Sequence, residues 1–222
     1  MARPAKSDSG AQPPRFDDDF SARLDELIRW RRDVRRFRRD PVEAGLIDTL
    51  IGLAVRAPSV GHSQPWRFVK VEDPARRAAV RDNFRRRNRE ALEDYHGARA
   101  KLYASLKLSG LDAAPVHLAV FCDEATETGQ GLGRKTMPET LRYSVVTAVH
   151  TLWLAARARG LGVGWVSILD PDEVTRTLDL PADWSLIAYL CIGYPEEEHA
   201  EPELERSGWE DAQDLSGCVL RR

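Results

Sequence analysis

Seven consecutive residues, Val116-His117-Leu118-Ala119-Val120-Phe121-Cys122, follow Pro115 and contain a single polar side chain. A run of this length and composition suits a strand buried on both faces. Such a strand needs a layer of structure on either side, which points to a three-layer α/β or α+β domain. The rest of the chain supplies those layers. Leu141, Val145, Ala148, Val149, Leu152 and Ala156 mark one apolar stripe of a helix over 138–159, with Gly160 as its stop. That helix is apolar enough to be central or to lie at a dimer interface. Phe20, Leu24, Leu27 and Ile28 form a second helical stripe, and Leu46, Ile47, Leu50, Ile51 and Ala54 a third, which must end before Pro58.

Asp-Pro pairs punctuate the chain. Asp40-Pro41-Val42-Glu43, Asp73-Pro74 and Asp170-Pro171 each read as an N-cap followed by a first-turn proline. Further strands are expected at 66–71, 162–169 and 186–192, and a long helical segment over 75–108. Residues 1–17 read as a disordered lead-in and 18–222 as one domain. The acidic tail from about 195 has no core pattern of its own and is expected to wrap a partner subunit. The Gly-rich residues 123–135 read as a mobile loop.

Charge excludes several function classes. The 222 residues carry 33 Lys+Arg against 35 Asp+Glu, a balance unlike that of a dedicated nucleic-acid binder. Three widely spaced cysteines and five histidines show neither a disulfide framework nor metal-ligand spacing. No signal peptide or membrane span is evident, and a cytoplasmic location is expected. Yet 28 of the basic residues are Arg, and seven of these fall between Arg29 and Arg39. Arginine's planar fork grips oxyanions at two points, so an anion site is implied. A second basic run, Arg85-Arg86-Arg87-Asn88-Arg89, is expected to be a solvated helix face balanced by Glu90, Glu93 and Asp94.

Three stretches carry candidate chemistry. Arg31-Arg32-Asp33-Val34-Arg35-Arg36-Phe37 sets a carboxylate among guanidinium groups directly after a helix. It reads either as a basic surface turn with an internal ion pair, or as an extended segment whose Arg31, Asp33 and Arg35 share a side facing a phosphate. Ala57 to Phe68 brackets Ser59, His62, Ser63 and Gln64 between prolines, offering donors to a flat heterocycle or serving only as a helix-to-strand connection. Gly162 and Gly164 mark close approach of a ligand or backbone, or close helix packing. The Gly129–Gly133 glycines lack the dinucleotide register, His117 reads as a satisfied core histidine, and Glu196–His199 as a solvated acidic stretch.

Together with Ala114-Pro115-Val116-His117, Gly164-Trp165-Val166-Ser167 and Gly208-Trp209, these stretches resemble the nitroreductase-like flavoprotein superfamily, and within it the 5,6-dimethylbenzimidazole synthase branch. The resemblance covers nearly all of the chain after residue 20. Ordinary members carry Ser where this sequence has Asp33, and a carboxylate beside a phosphate calls for a different task. The resemblance implies an α+β, three-layer fold with a central mixed sheet flanked by helices, in an intertwined homodimer with the site between subunits. It implies that reduced FMN is a substrate: with dioxygen the ring system is fragmented, a ribityl carbon becomes C2 of 5,6-dimethylbenzimidazole, and a four-carbon sugar phosphate leaves. The implied FMN-binding set is Arg31, Arg32, Asp33, Val34, Arg35, Ser59 and Ser167, with Asp33 and Ser167 catalytic and no metal. The source of reducing equivalents stays open between a partner flavin reductase delivering reduced FMN, with NAD(P)H as an indirect reductant, and the nicotinamide directly. The alternatives are a conventional NAD(P)H-dependent nitroreductase or flavin oxidoreductase and a non-catalytic FMN-binding module.

Overall fold

The structure, a computed structural model, describes residues 12–222; the first eleven residues of the expected lead-in lie outside it. Four strands, β1 (Trp66–Lys70), β2 (Val116–Asp123), β3 (Gly162–Val166) and β4 (Trp184–Gly193), form a sheet in the order β1-β2-β4-β3. All strand pairs are antiparallel, so the four-stranded sheet is antiparallel where a mixed one was expected; a parallel contact, the isolated bridge between Asp33 and Val163, lies outside the named strands.

Burial of β2 on both faces follows from the alternation of its side chains. Leu118, Val120 and Cys122 join one core with α2 (Leu46–Ala54) and α5 (Thr140–Arg157). Ala119 and Phe121 join the other, with Val80 of α3 (Pro74–Glu93) and Val174 of α6 (Pro171–Thr177). The helix-sheet-helix layering expected from the sequence is thus present. All six residues of the expected α5 stripe are buried. Gly160 adopts φ +71°, and the Leu161 and Gly160 N–H groups return to the carbonyls of Ala156 and Arg157, a Schellman closure. His117 is buried with Nδ1 3.0 Å from the Tyr189 hydroxyl, and burial pushes its pKa down to about 4.

Several local expectations need correction. Asp73 and Asp170 cap α3 and α6 through their side chains, but Asp40 does not start a helix. Its carboxylate pairs with Arg38 at 2.7 Å, and α2 begins only after Gly45 in the left-handed region. The 75–108 segment is two helices, because Asp94 to His96 break it before α4 (Gly97–Ser105). β3 ends at Val166, which leaves Ser167 beyond the strand. The Arg85–Arg89 run lies on α3, where Glu90 supplies one counter-charge and Asp82, Asp112, Asp170 and Glu173 the others.

The stripe of α1 (Asp18–Trp30) is only partly covered by its own chain: Leu27 is half-buried, but Phe20, Leu24 and Ile28 are exposed, as are Tyr143 and Val146 on α5. The acidic stretch is not merely solvated, since Glu197 lies 3.2 Å from His199 and Glu198 pairs with Arg157. Among the described residues no helix is long and apolar enough to cross a membrane.

Candidate active site

The arginine segment after α1 lies along β3, the edge of the sheet. The Val34 N–H donates to the Val163 carbonyl at 3.0 Å. Two glycines permit this approach: a Cβ at Gly162 would overlap the Val34 side chain, and one at Gly164 the Val34 carbonyl. Of the readings open for these glycines, close approach of another backbone is the one the structure displays, and that backbone is the arginine turn itself.

Asp33 is held at both carboxylate oxygens. Oδ1 accepts the Trp165 N–H at 2.8 Å and Oδ2 accepts Arg35 Nε at 2.9 Å. A third of the side chain stays exposed. Burial nevertheless pushes the carboxyl above its ordinary value, against the downward pull of the Trp165 amide and the Arg35 guanidinium, and Glu203 adds to the rise. The internal ion pair of the surface-turn reading is therefore present, and Asp33 and Arg35 also share a side.

The arginines divide by partner. Arg35 is nearly buried and donates from Nη1 to the Lys107 carbonyl at 3.0 Å. Arg31 lies 5.0 Å over the Trp153 ring, and no carboxylate pairs with it among the described residues. Arg32 donates to the carbonyls of Ala200, at 2.9 Å from Nε, and Arg31, at 2.7 Å from Nη1. Burial and the Arg31 charge lower its pKa. Arg36 is bound by Glu203. An unneutralised guanidinium beside one shared with Asp33 suits an anion. Trp153, Glu203 and the Lys107 carbonyl escaped the sequence reading, since each reaches the turn from a distant element.

The second stretch is built differently. The Ser59 Oγ accepts the Gln64 N–H at 3.1 Å, and the Val60 N–H donates to Ser144 on α5. His62 and Gln64 hold φ of +57° and +47°, a conformation uncommon for non-glycine residues. No residue pattern announced this strain, which tends to cluster at functional sites. Ser59, His62 and Gln64 line one cleft, and Asp33, Arg32, Val34 and Arg35 line another with Glu197, His199 and Arg206. Ser167 is exposed just past β3 and its side chain makes no hydrogen bond among the described residues. One chain therefore joins Asp33, Val34 and Arg35 at one place and leaves Ser59 at another. Among the described residues no cluster of His, Cys, Asp or Glu could hold a metal ion.

The nitroreductase family profile matches residues 28–194. The chain is 61% identical over 197 residues to the 5,6-dimethylbenzimidazole synthase of Rhodospirillum rubrum, covering 89% of this chain and 93% of that one. The chain belongs to the nitroreductase family, on its 5,6-dimethylbenzimidazole synthase branch. The like-named protein of Rhodobacter capsulatus is 49% identical, with 88% and 95% covered. Among solved structures, an iodotyrosine deiodinase bound to FMN and 3-iodo-L-tyrosine superposes with a TM-score of 0.67 at 28% identity, covering 79% of this chain and 91% of that one.

Proposed function

We propose that this chain makes 5,6-dimethylbenzimidazole, the lower ligand of cobalamin, by oxygen-dependent fragmentation of reduced FMN with release of a four-carbon sugar phosphate. The observation that carries the reading is Asp33: a partly exposed carboxylate with a raised pKa, held by the Trp165 amide among arginines. A carboxylate of this kind accepts a proton more readily than an ordinary Asp, and breaking a carbon-carbon bond in a polyol requires a base for a hydroxyl proton. When bound, reduced FMN supplies both the ring that is kept and the ribityl carbon that joins it.

In this reading Arg31 and Arg35 hold the phosphate, while Arg32, tied to Ala200, fixes the turn. Val34 sets the turn's height above β3 through its contacts at Gly162 and Gly164. Asp33 takes the ribityl hydroxyl proton, Ser167 donates near the reactive face of the ring, and Ser59 fixes ring and sugar. The separate clefts of Asp33 and Ser59, with the uncovered apolar residues of α1 and α5, support a homodimer whose site draws Asp33 from one chain and Ser59 from the other. Dioxygen is the oxidant. NAD(P)H acts indirectly, through a flavin reductase.

The test is to supply chemically reduced FMN and air and to seek 5,6-dimethylbenzimidazole by chromatography. Product is expected. Quantitative recovery of oxidised FMN would instead place the chain with enzymes that recycle flavin. The composite site is tested by mixing two inactive variants, Asp33→Asn and Ser59→Ala, under subunit exchange. Mixed dimers then hold one intact site and regain product, whereas a site within one chain would regain none.

A further inference from the structure

Gly208-Trp209 has no task in the reaction above, yet its surroundings are specific. The tail leaves β4 against the arginine turn: the Arg38 N–H donates to the Tyr194 carbonyl and the Glu196 N–H to the Arg36 carbonyl. Farther on, the Ala200 carbonyl binds Arg32 and the Glu203 carboxylate binds Arg36. Glu203 opens the single-turn helix α7 (Glu203–Arg206). Gly208, at φ +72°, closes that turn: its N–H returns to Glu205 and the Trp209 N–H to Leu204, the Schellman pattern seen at the end of α5.

The closure directs Trp209 onto the α3–α4 corner. Its ring lies 5.4 Å from Tyr95 and 5.9 Å from Tyr103, edge-on to both, while Tyr95 and Tyr103 stack at 4.8 Å. The Arg99 guanidinium sits 3.8 Å over the indole, with Glu210 beside it at 3.7 Å. Tyr103 is anchored from behind by its hydroxyl donating to Asn88 at 2.8 Å.

We propose that residues 196–210 form a brace gripping the arginine turn at one end and α4 at the other, and that Trp209 is a positioning residue for the turn. Only five residues lie between Glu203 and Trp209, and the closed turn of α7 leaves little slack between the two grips. Freeing the indole loosens the Glu203 hold on Arg36 and so the placement of Arg35 and Asp33, the groups next to it. Reciprocity requires that occupancy at the turn tighten α4. The consequence for FMN rests on the function proposed above; the mechanical coupling does not.

The experiment is hydrogen exchange on the full-length protein without flavin, followed by FMN titration. In Trp209→Ala, exchange is expected to rise at 97–105 and also at 31–36, and FMN affinity to fall about tenfold, while saturating reduced FMN in air restores the rate of product formation. Trp209→Phe, which keeps a ring for Arg99 and the tyrosines, should recover most of the affinity. From the opposite end, Glu203→Gln should raise exchange at 97–105. Exchange changes confined to the mutated end in both variants would overturn the brace. If wild-type protein fails to bind FMN while both variants show the two-ended change, the flavin reading falls and the brace stands.

Discussion

The chain has two arginine clusters of similar density, and their neighbours differ. On α3, Arg85, Arg86 and Arg87 each meet carboxylates, from Asp82 and Asp112, from Glu173, and from Glu90 and Asp170. In the turn along β3, Arg31 rests on an indole without a carboxylate, Arg32 meets two backbone carbonyls, and Arg35 shares Asp33 with the Trp165 amide. Arginine content alone therefore does not mark a site. What distinguishes the turn is Arg31 and Arg32: Arg35 and Arg36 pair with Asp33 and Glu203, but no carboxylate among the described residues pairs with these two, which leaves them for an anion.

The largest effect is expected where the turn departs furthest from α3, at its single internal acid. Asp33→Asn keeps the shape and removes the base, so product formation should fall by about 10²–10⁴-fold while FMN still binds. Undiminished product would remove Asp33 from the chemistry and make the two clusters differ in binding only. Next come the cations. Arg31→Ala or Arg35→Ala each deletes a charge-assisted contact of roughly 1.5–3 kcal/mol, so the FMN dissociation constant should rise about tenfold to a hundredfold. An unchanged affinity would leave the turn as inert as α3.

How much of this contrast the sequence carries depends on the range of the interaction. Periodicity is local, so the α5 stripe and the two-faced β2 were readable from side-chain order alone. The Asp-Pro starts were readable at Asp73 and Asp170, where the carboxylate is free to reach the first-turn amides. At Asp40 the same pair failed, because Arg38 two residues away captures the carboxylate and Gly45 starts the helix instead. The arginine turn was visible as composition, but its meaning was not. The Trp165 amide, Trp153 ring, Glu203 and Ala200 come from 120 or more residues farther along, and only the fold brings them to the turn. Gly162 and Gly164 were flagged for close approach without a hint of what approaches.

A pH experiment sharpens the comparison at intermediate size. The folded-state pKa of Asp33 lies above its unfolded value, so the folded chain binds the extra proton more readily. Ionised Asp33 then costs stability above both values, and the cost fades as pH falls through the folded value toward the unfolded one. Relative to Asp33→Asn, the wild type should gain thermal stability on acidification across that window. A pH-independent difference in melting temperature would mean that the Trp165 amide and Arg35 fully offset burial, making Asp33 an ordinary ion-paired acid like those facing α3.

The smallest effect is expected on α3 itself. Arg86 pairs with Glu173 of α6 at a site where both side chains remain more than a third exposed, a setting in which an ion pair contributes at most about 1 kcal/mol. Arg86→Ala should thus shift the unfolding free energy by no more than that amount, leave FMN affinity and product formation unchanged, and lose its small stability effect in high salt as screening removes the pair's attraction. If Arg86→Ala instead lowered FMN affinity as Arg35→Ala does, the balance of counter-charge would not be what separates the clusters. The flavin would then have to be reached from α3 as well as from the turn.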